Sequence, residues 1–440
     1  MRILQVNAAD RGGGAEAVAL TLHRAFLERG HQSRLGVGRV REGGPGIFRV
    51  EQGEGLAWRL HERLDLAMRF RAARLARALT EPGTVLDACR GHEDFRFPGA
   101  YRLLDDRAAL DILQLHNLHG GYFDLRALPL LAARVPVIAT LHDAWMLTGH
   151  CAHSFDCERW TSGCGSCPYL DTYPALHHDG TAFNLHRKAA IFEATSMSVV
   201  TPSRWLMDMV DRSVLAPAAA RRRVIPNGVD LSVFHPHNRH EARRSLGIAD
   251  GRLLLVAVSQ GGQDNPFRDA RTFTDALERL GAADGEPVDV VALGEADDSV
   301  RSLGRVTLRG VRHVPAETLR LWLNAADAYV HSARADTFPT SVLEALACGA
   351  PVVASSVGGI PEQVRALGDD PDPTGVLVAS GDPTALALAL DRVMGDAALR
   401  RRLGENAAAD AQRRFSLDEQ VAAYLEFYEE LLESRRAGGA

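Results

Sequence analysis

Apolar residues in this chain fall into short runs separated by longer stretches with helical spacing. Residues 2–7 (RILQVN) form the first run, which ends in a loop holding Gly12, Gly13 and Gly14. Residues 15–29 then carry Val18, Leu20, Leu22, Phe26 and Leu27 at helical spacing, so strand, glycine turn and helix are predicted in that order. The short run recurs at 113–116, 135–141 and 198–201. Runs without polar alternation are what strands buried on both faces look like. Residues 221–236 (RRRVIPNGVDLSVFHP) hold two prolines and an Asn-Gly turn and read as a link between domains. The alternation then resumes, with strands predicted at 253–258, 288–293, 306–309, 328–331 and 352–354 and helical patterns between them. The last predicted helix, 417–435, has Leu417, Val421, Tyr424, Leu425, Tyr428 and Leu431 on one face. The expected architecture is α/β: a domain over 1–220, a linker over 221–236 and a second domain over 237–416, the final helix packing back on the first. Ligands in such folds bind outside the carboxyl ends of the strands.

Composition narrows the function classes. The chain has 440 residues, 46% of them apolar and 24% charged, which is enough apolar material for two cores and excludes a disordered chain. A net charge of −6 argues against a nucleic-acid binder. No run of 18 apolar residues occurs, so no membrane-crossing helix is expected. The first apolar run is too short for a secretory signal, which makes the cytoplasm the expected compartment. Residues 58–79 place Arg59, Arg63, Arg69, Arg71, Arg74 and Arg77 among Leu, Met and Phe. A basic amphipathic helix of that kind suits the anionic inner face of a membrane, and an ordinary solvated helix is the plain alternative.

Four of the six cysteines are clustered as Cys151-x5-Cys157-x6-Cys164-x2-Cys167. The C-x2-C half has zinc-site spacing, and four thiolates would complete a tetrahedral structural site. The spacing of the other half is unusual, so buried thiols, a redox pair and disulfides stay open, and His150 or His153 could replace a cysteine. Cys89 and Cys348 read as small buried apolar residues.

Candidate chemistry concentrates in residues 325–355 (AADAYVHSARADTFPTSVLEALACGAPVVAS). A strand ends in a loop with Asp336, Phe338 and Pro339, and a helix follows, capped by Thr340 or Ser341 and carrying Glu344. A helix N-terminus suits a phosphate, and a carboxylate in its first turns suits two vicinal hydroxyls, because both of its oxygens accept hydrogen bonds. Phosphate plus diol describes a nucleotide. The glycine loop matches neither a Walker A motif nor a full G-x-G-x-x-G.

This segment resembles the donor site of retaining glycosyltransferases of the GT-B fold, family 4 type, which carry Glu-x7-Glu and then a Gly-x-Pro-Val-Val-Ala strand. The resemblance extends over nearly the whole chain: the glycine loop with Ala15 and Glu16, residues 140–143 (TLHD), 224–230 (VIPNGVD) and 357–362 (VGGIPE). The run 116–120 (HNLHG) and the cysteine-bearing stretch are similar to bacterial enzymes of exopolysaccharide, capsule or O-antigen synthesis. It implies two doubly wound Rossmann-like domains facing across a cleft, and metal-independent transfer from a UDP- or GDP-sugar to a saccharide, lipid-linked, acceptor. Asp336 would hold sugar hydroxyls, Glu344 the ribose, and Phe338, Pro339, Thr340 and Ser341 would lie beside sugar and phosphates. His142 would contact the donor sugar, and Gly13, Gly14, His116 and Asn117 would face the acceptor. Two departures stand out. The first acid is Asp336 instead of Glu, and Arg268 occupies the place of the usual phosphate-binding Lys, with Asp269 where Gly is common. The usual Arg has no clear counterpart, and Gln260 or Arg271 are the substitutes at hand. A nucleotide-sugar epimerase, a sucrose- or trehalose-type synthase and a non-catalytic partner subunit are the alternatives.

Overall fold

Two seven-stranded sheets organise the chain. The computed structural model describes residues 1–50, 82–105, 110–249, 251–258, 265–296 and 298–438. The basic stretch 58–79 and Gln260 lie outside the described residues. In the first sheet the strands are β1 (Arg2–Ala9), β2 (Gln32–Arg39), β3 (Ile47–Arg49), β4 (Ile112–Leu115), β5 (Val137–Thr140), β6 (Met197–Thr201) and β7 (Ala219–Val224), ordered β3-β2-β1-β4-β5-β6-β7 and parallel throughout. The second holds β8 (Leu253–Val258), β9 (Val288–Leu293), β10 (Val300–Leu303), β11 (Val306–Val311), β12 (Ala328–His331), β13 (Val352–Ser355) and β14 (Gly375–Val378), ordered β10-β11-β9-β8-β12-β13-β14. Only β10 runs antiparallel among these pairings. The helices used below are α1 (Gly14–Glu28), α2 (Thr181–Glu193), α3 (Ala270–Ala282), α4 (Thr340–Ala347), α5 (Pro383–Gly395) and α6 (Leu417–Gly438).

Each sheet changes direction at its middle. The chain leaves β1 toward β2 on one side and returns to β4 on the other, and it does the same from β8 toward β9 and β12. In open α/β sheets the space outside the strand ends at such a switch point is where ligands sit. His116 follows β4, and His331 ends β12.

The second sheet shows why its strands read as unbroken apolar runs. Leu254 and Val256 belong to one core cluster, with Val342, Leu343 and Leu346 of α4. Leu253 and Leu255 belong to another, with Leu277 and Leu280 of α3 and Leu386 and Leu390 of α5. Successive side chains point to opposite faces, and both faces are covered.

The chain forms two units, one of Met1–Thr201, Leu206–Ile225 and Tyr424–Ala440 and one of Pro202–Trp205 and Pro226–Ala423. The first four residues of the expected linker, 221–224, belong instead to the edge strand β7. Three successive arginines imitate a solvated loop, but an edge strand can leave such side chains at its rim. Arg223 lies over the Phe427 ring and pairs with Glu430 of α6 at 2.7 Å. Strands β2, β3, β7, β10 and β14 were not expected, being short or rich in Gly and Arg. The expected strand over 306–309 continues to Val311. No helix among the described residues is long and apolar enough to cross a membrane.

Inside the first unit, α6 inserts two buried tyrosines, and the Tyr428 hydroxyl donates to Gln114 Oε1 at 2.6 Å. Gln114 in turn donates to Thr140 Oγ1 at 2.9 Å, so the helix is bonded into β4 and β5. Replacing Tyr428 by Phe leaves a buried amide oxygen without its donor. Urea unfolding is expected to show a loss of about 1–2 kcal/mol with an unchanged slope.

Candidate active site

In the second unit the site begins at the end of β12. Residues 265–270 are pinned to the loop after that strand: the Arg334 and Ala335 amides donate to the Phe267 carbonyl at 2.9 and 3.3 Å, and the Asp269 amide donates to the Ser332 carbonyl. Asp269 caps α3 by accepting from the Thr272 amide, which explains an Asp where the family pattern favours Gly. This bracing sets Arg268 immediately before the helix. One guanidinium nitrogen, Nη1, lies 2.9 Å from Asp336 Oδ2 and 2.5 Å from His331 Nε2. Its Nε is buried and has no acceptor among the described residues. Arg268 and His331 also line a cavity of about 80 Å³ at the carboxyl ends of β8, β9 and β12, with Phe273, Glu295, Arg301 and Ser332.

His331 was not picked out from the sequence, where it ends an apolar strand. An arginine can only donate, so His331 Nε2 must accept, and the ring's proton is on Nδ1. Nδ1 lies 3.1 Å from the Tyr329 hydroxyl, which donates to Ser341 Oγ at 2.9 Å. The ring is neutral: burial and then Arg268 lower its pKa to about 4. Ser341 is thus engaged within the core. The N-cap of α4 is Pro339, with no side-chain cap, and neither Thr340 nor Ser341 fills the expected capping role.

The loop carrying Asp336 rests on a glycine pair. A Cβ on Gly358 would lie 1.8 Å from the Asp336 carbonyl, and one on Gly359 would lie 2.0 Å from that of Thr337. Asn227 donates to the Phe338 carbonyl and Gln363 to the Pro339 carbonyl, at 3.3 and 3.0 Å. These contacts give a physical reason for the Asn-Gly and Gly-Gly-Ile segments read in the sequence. Glu344 is half-buried in the second turn of α4, and burial pushes its carboxyl up to about 7. Arg271 is 93% exposed and pairs with Asp275, so it does not join Arg268.

In the first unit, His116 and His142 lie edge to edge and nearly coplanar, their ring centroids 5.1 Å apart, with Nδ1 of His116 2.8 Å from Nε2 of His142. His119 Nε2 lies 2.8 Å from Asp143 Oδ2, and the Tyr173 hydroxyl is 3.2 Å from its other ring nitrogen. The Asn117 amide donates to Asn7 Oδ1 at 3.2 Å. Gly13 is the N-cap of α1, and its amide donates to Glu16 Oε2 at 2.9 Å, so that donor of the glycine loop is already engaged. Lys188, on α2, was missed in the sequence. Its buried ammonium donates to the Trp145 and Thr148 carbonyls at 2.9 and 3.0 Å and pairs with Glu93 at 3.2 Å, fixing the turn that follows His142 and Asp143.

The four clustered cysteines line one small cavity with His150, all as free thiols. Burial raises the Cys151 thiol to about 12, the half-buried Cys164 accepts from the Gly149 amide, and the half-buried Cys167 accepts from the Tyr169 amide at 3.4 Å with His150 Nε2 also 3.4 Å from its sulfur. Among the described residues no three His, Cys, Asp or Glu side chains stand so as to hold a metal ion. The expectation of structural zinc finds no support in this arrangement.

The model for "Glycosyltransferase Family 4" matches residues 12–233, and that for "Glycosyl transferases group 1" matches residues 274–410. The chain belongs to glycosyltransferase family 4. The putative colanic acid biosynthesis glycosyl transferase WcaC of Escherichia coli (strain K12) is 26% identical over 81% of this family 4 chain and 83% of its own. The D-inositol 3-phosphate glycosyltransferase of Xylanimonas cellulosilytica is 36% identical, but that match spans 49% of this chain and 53% of the relative. Anabaena HepE in complex with UDP shares the fold with a TM-score of 0.62, at 18% identity, over 98% of this chain and 100% of that one. The two parallel-sheet units are those of the GT-B fold, and enzymes of this family generally act without a metal.

The glycine pair under Asp336 supplies a test. Gly358→Ala adds a methyl where φ is +57° and the Asp336 carbonyl occupies the space. The expected cost is about 3 kcal/mol, read by denaturant unfolding. Gly368→Ala, at φ +105° but in open space, should cost less.

Proposed function

We propose that this glycosyltransferase moves a sugar from a UDP- or GDP-sugar to a saccharide acceptor with retention at the anomeric carbon, the acceptor being a lipid-linked intermediate of bacterial surface polysaccharide. The observation that carries the donor-binding part is Arg268. A guanidinium braced by two acceptors, with a buried Nε still lacking one, at the carboxyl end of a strand, has the electrostatics of a phosphate site. The printed name of WcaC supports the polysaccharide reading, and the UDP in the HepE complex supports the donor class.

In this reading Arg268 stabilises the charge that develops on the departing diphosphate. Asp336 and Glu344 accept hydrogen bonds from hydroxyls, Asp336 from those of the donor sugar and Glu344 from those of the ribose. The backbone of Phe338, Pro339, Thr340 and Ser341 borders sugar and phosphate. In the first unit His142 contacts the donor sugar and Gly13, Gly14 and Asn117 serve the acceptor; His116, expected there too, is buried with both ring nitrogens engaged and stands behind His142. The bond from the anomeric carbon to the β-phosphate oxygen breaks and the acceptor oxygen bonds to the same face. Its proton passes to the leaving phosphate.

Calorimetry with UDP, GDP, UDP-glucose and GDP-mannose tests the reading. One nucleotide should bind, and Arg268→Ala should lower kcat about 10²–10³-fold with that base's sugar. No binding of any nucleotide would instead favour a non-catalytic partner subunit. Glu344 supplies a pH test. A carboxyl raised to about 7 accepts two hydroxyl bonds only when ionised, so nucleotide-sugar affinity should rise with pH through about 7 and level off above it. Glu344→Gln should flatten that profile. A chelator should change neither the melting temperature nor nucleotide binding; a fall of several degrees would restore the zinc reading.

A further inference from the structure

The proton position on His142 can be traced from the helix α1. The amide of Gln5, a buried residue of β1, has two neighbours on α1 that fix its orientation. The Ala19 carbonyl can only accept and the His23 backbone amide can only donate, so Gln5 turns its NH₂ to the first, at 3.3 Å, and its oxygen to the second, at 3.1 Å. That leaves the second hydrogen of the NH₂ aimed at His116 Nε2, 3.0 Å away. His116 Nε2 therefore accepts. Burial holds both imidazoles neutral at ordinary pH, lowering His116 well below its usual value and His142 to about 4. A neutral ring that accepts at one nitrogen donates at the other. His116 thus carries its proton on Nδ1 and gives it to His142 Nε2 at 2.8 Å. His142, accepting at Nε2, keeps its own proton on Nδ1.

We infer that Gln5 and His116 are positioning residues that lock His142 in its Nδ1–H form. Two backbone groups of α1 set the direction, and each link permits one assignment. The groups facing His142 include Asp143 and His119, and those facing His116 are Gln5 and His142. None of them reverses the chain while both rings are neutral. The consequence for transfer rests on the proposed contact between His142 and the donor sugar. A ring fixed this way carries its proton on Nδ1 and has Nε2 taken by His116, and the edge-to-edge bond to His116 holds its plane. The second unit uses the same device on other residues, where Tyr329 orients His331 so that Nε2 faces Arg268.

The test reads the ring nitrogens directly. In protein labelled with ¹⁵N-histidine, with His142 assigned by its loss in His142→Gln, Nδ1 should have the shift of a protonated nitrogen and Nε2 that of an unprotonated one. Gln5→Leu keeps the bulk but removes the donor, so the two His142 shifts should draw together toward a tautomer mixture. His116→Phe should do the same, and adding Gln5→Leu to it should change nothing more. Turnover by Gln5→Leu should fall about tenfold in kcat, with KM for the nucleotide-sugar within twofold. A protonated Nε2 on wild-type His142, or His142 shifts unmoved in both Gln5→Leu and His116→Phe, would overturn the inference. Failure of the transferase reading would look different: no turnover by the wild type with any nucleotide-sugar, while the ring shifts still give their answer.

Discussion

A half-buried guanidinium fixes much of the second unit. Arg268 cannot lose its proton, so wherever the fold buries it, acceptors have to come with it. Two are supplied from one stretch of chain, His331 at the end of β12 and Asp336 five residues on. For both to reach one nitrogen, the intervening loop has to be held in place. It is bonded to Phe267, rests on Gly358 and Gly359, and is anchored by Asn227 and Gln363. Segments that look independent in the sequence (residues 224–230, 265–270, 328–347 and 357–363) are in this sense parts of one brace around one cation.

The histidines obey a related constraint. An imidazole taken out of water favours its neutral form, and a neutral imidazole donates at one nitrogen and accepts at the other. What remains to be chosen is which nitrogen does which, and that choice falls to neighbours. For His331 the arginine decides, because it has nothing to accept with. For His116 the Gln5 amide decides, and its own orientation is dictated by two backbone groups of a helix. Buried polar side chains that look like ordinary core residues therefore act at a distance of one or two hydrogen bonds.

Much of the fold was legible because a strand covered on both faces must be apolar throughout: residues 253–258, 288–293 and 328–331 carry that signature with the observed ends. The missed strands lie mostly toward sheet edges, where the rule relaxes. β7 tolerates Arg221, Arg222 and Arg223 at the rim, and β14 opens with Gly375, whose missing side chain leaves room for the Val352 carbonyl. In the candidate site, Asp336, Glu344, Arg268 and His142 stood out because their spacing resembled a known motif. Gln5, Tyr329 and His331 did not, since a polar residue inside an apolar run gives no sign of what it faces, and Lys188, next to Arg187 in a mixed polar helix, looks like a solvated residue. The cysteines show the converse. Their spacing suggests a metal, yet spacing says nothing about where sulfurs point, and among the described residues no three His, Cys, Asp or Glu side chains stand so as to hold one.

The two residues that depart from the expected pattern meet in the structure. A shorter first acid, Asp336, draws the carboxylate back toward its own loop by one methylene. A lysine at 268 would bring a point charge on a flexible stem. Arginine brings a longer, planar group with several fixed donors, and one of them meets Asp336 at 2.9 Å while also reaching His331. The fork geometry does what an ammonium could not do as directly: it commits one nitrogen to protein acceptors while the buried Nε still has none among the described residues. Asp336 and Arg268 are therefore better read together, as one bonded pair, than as two separate losses from an expected motif.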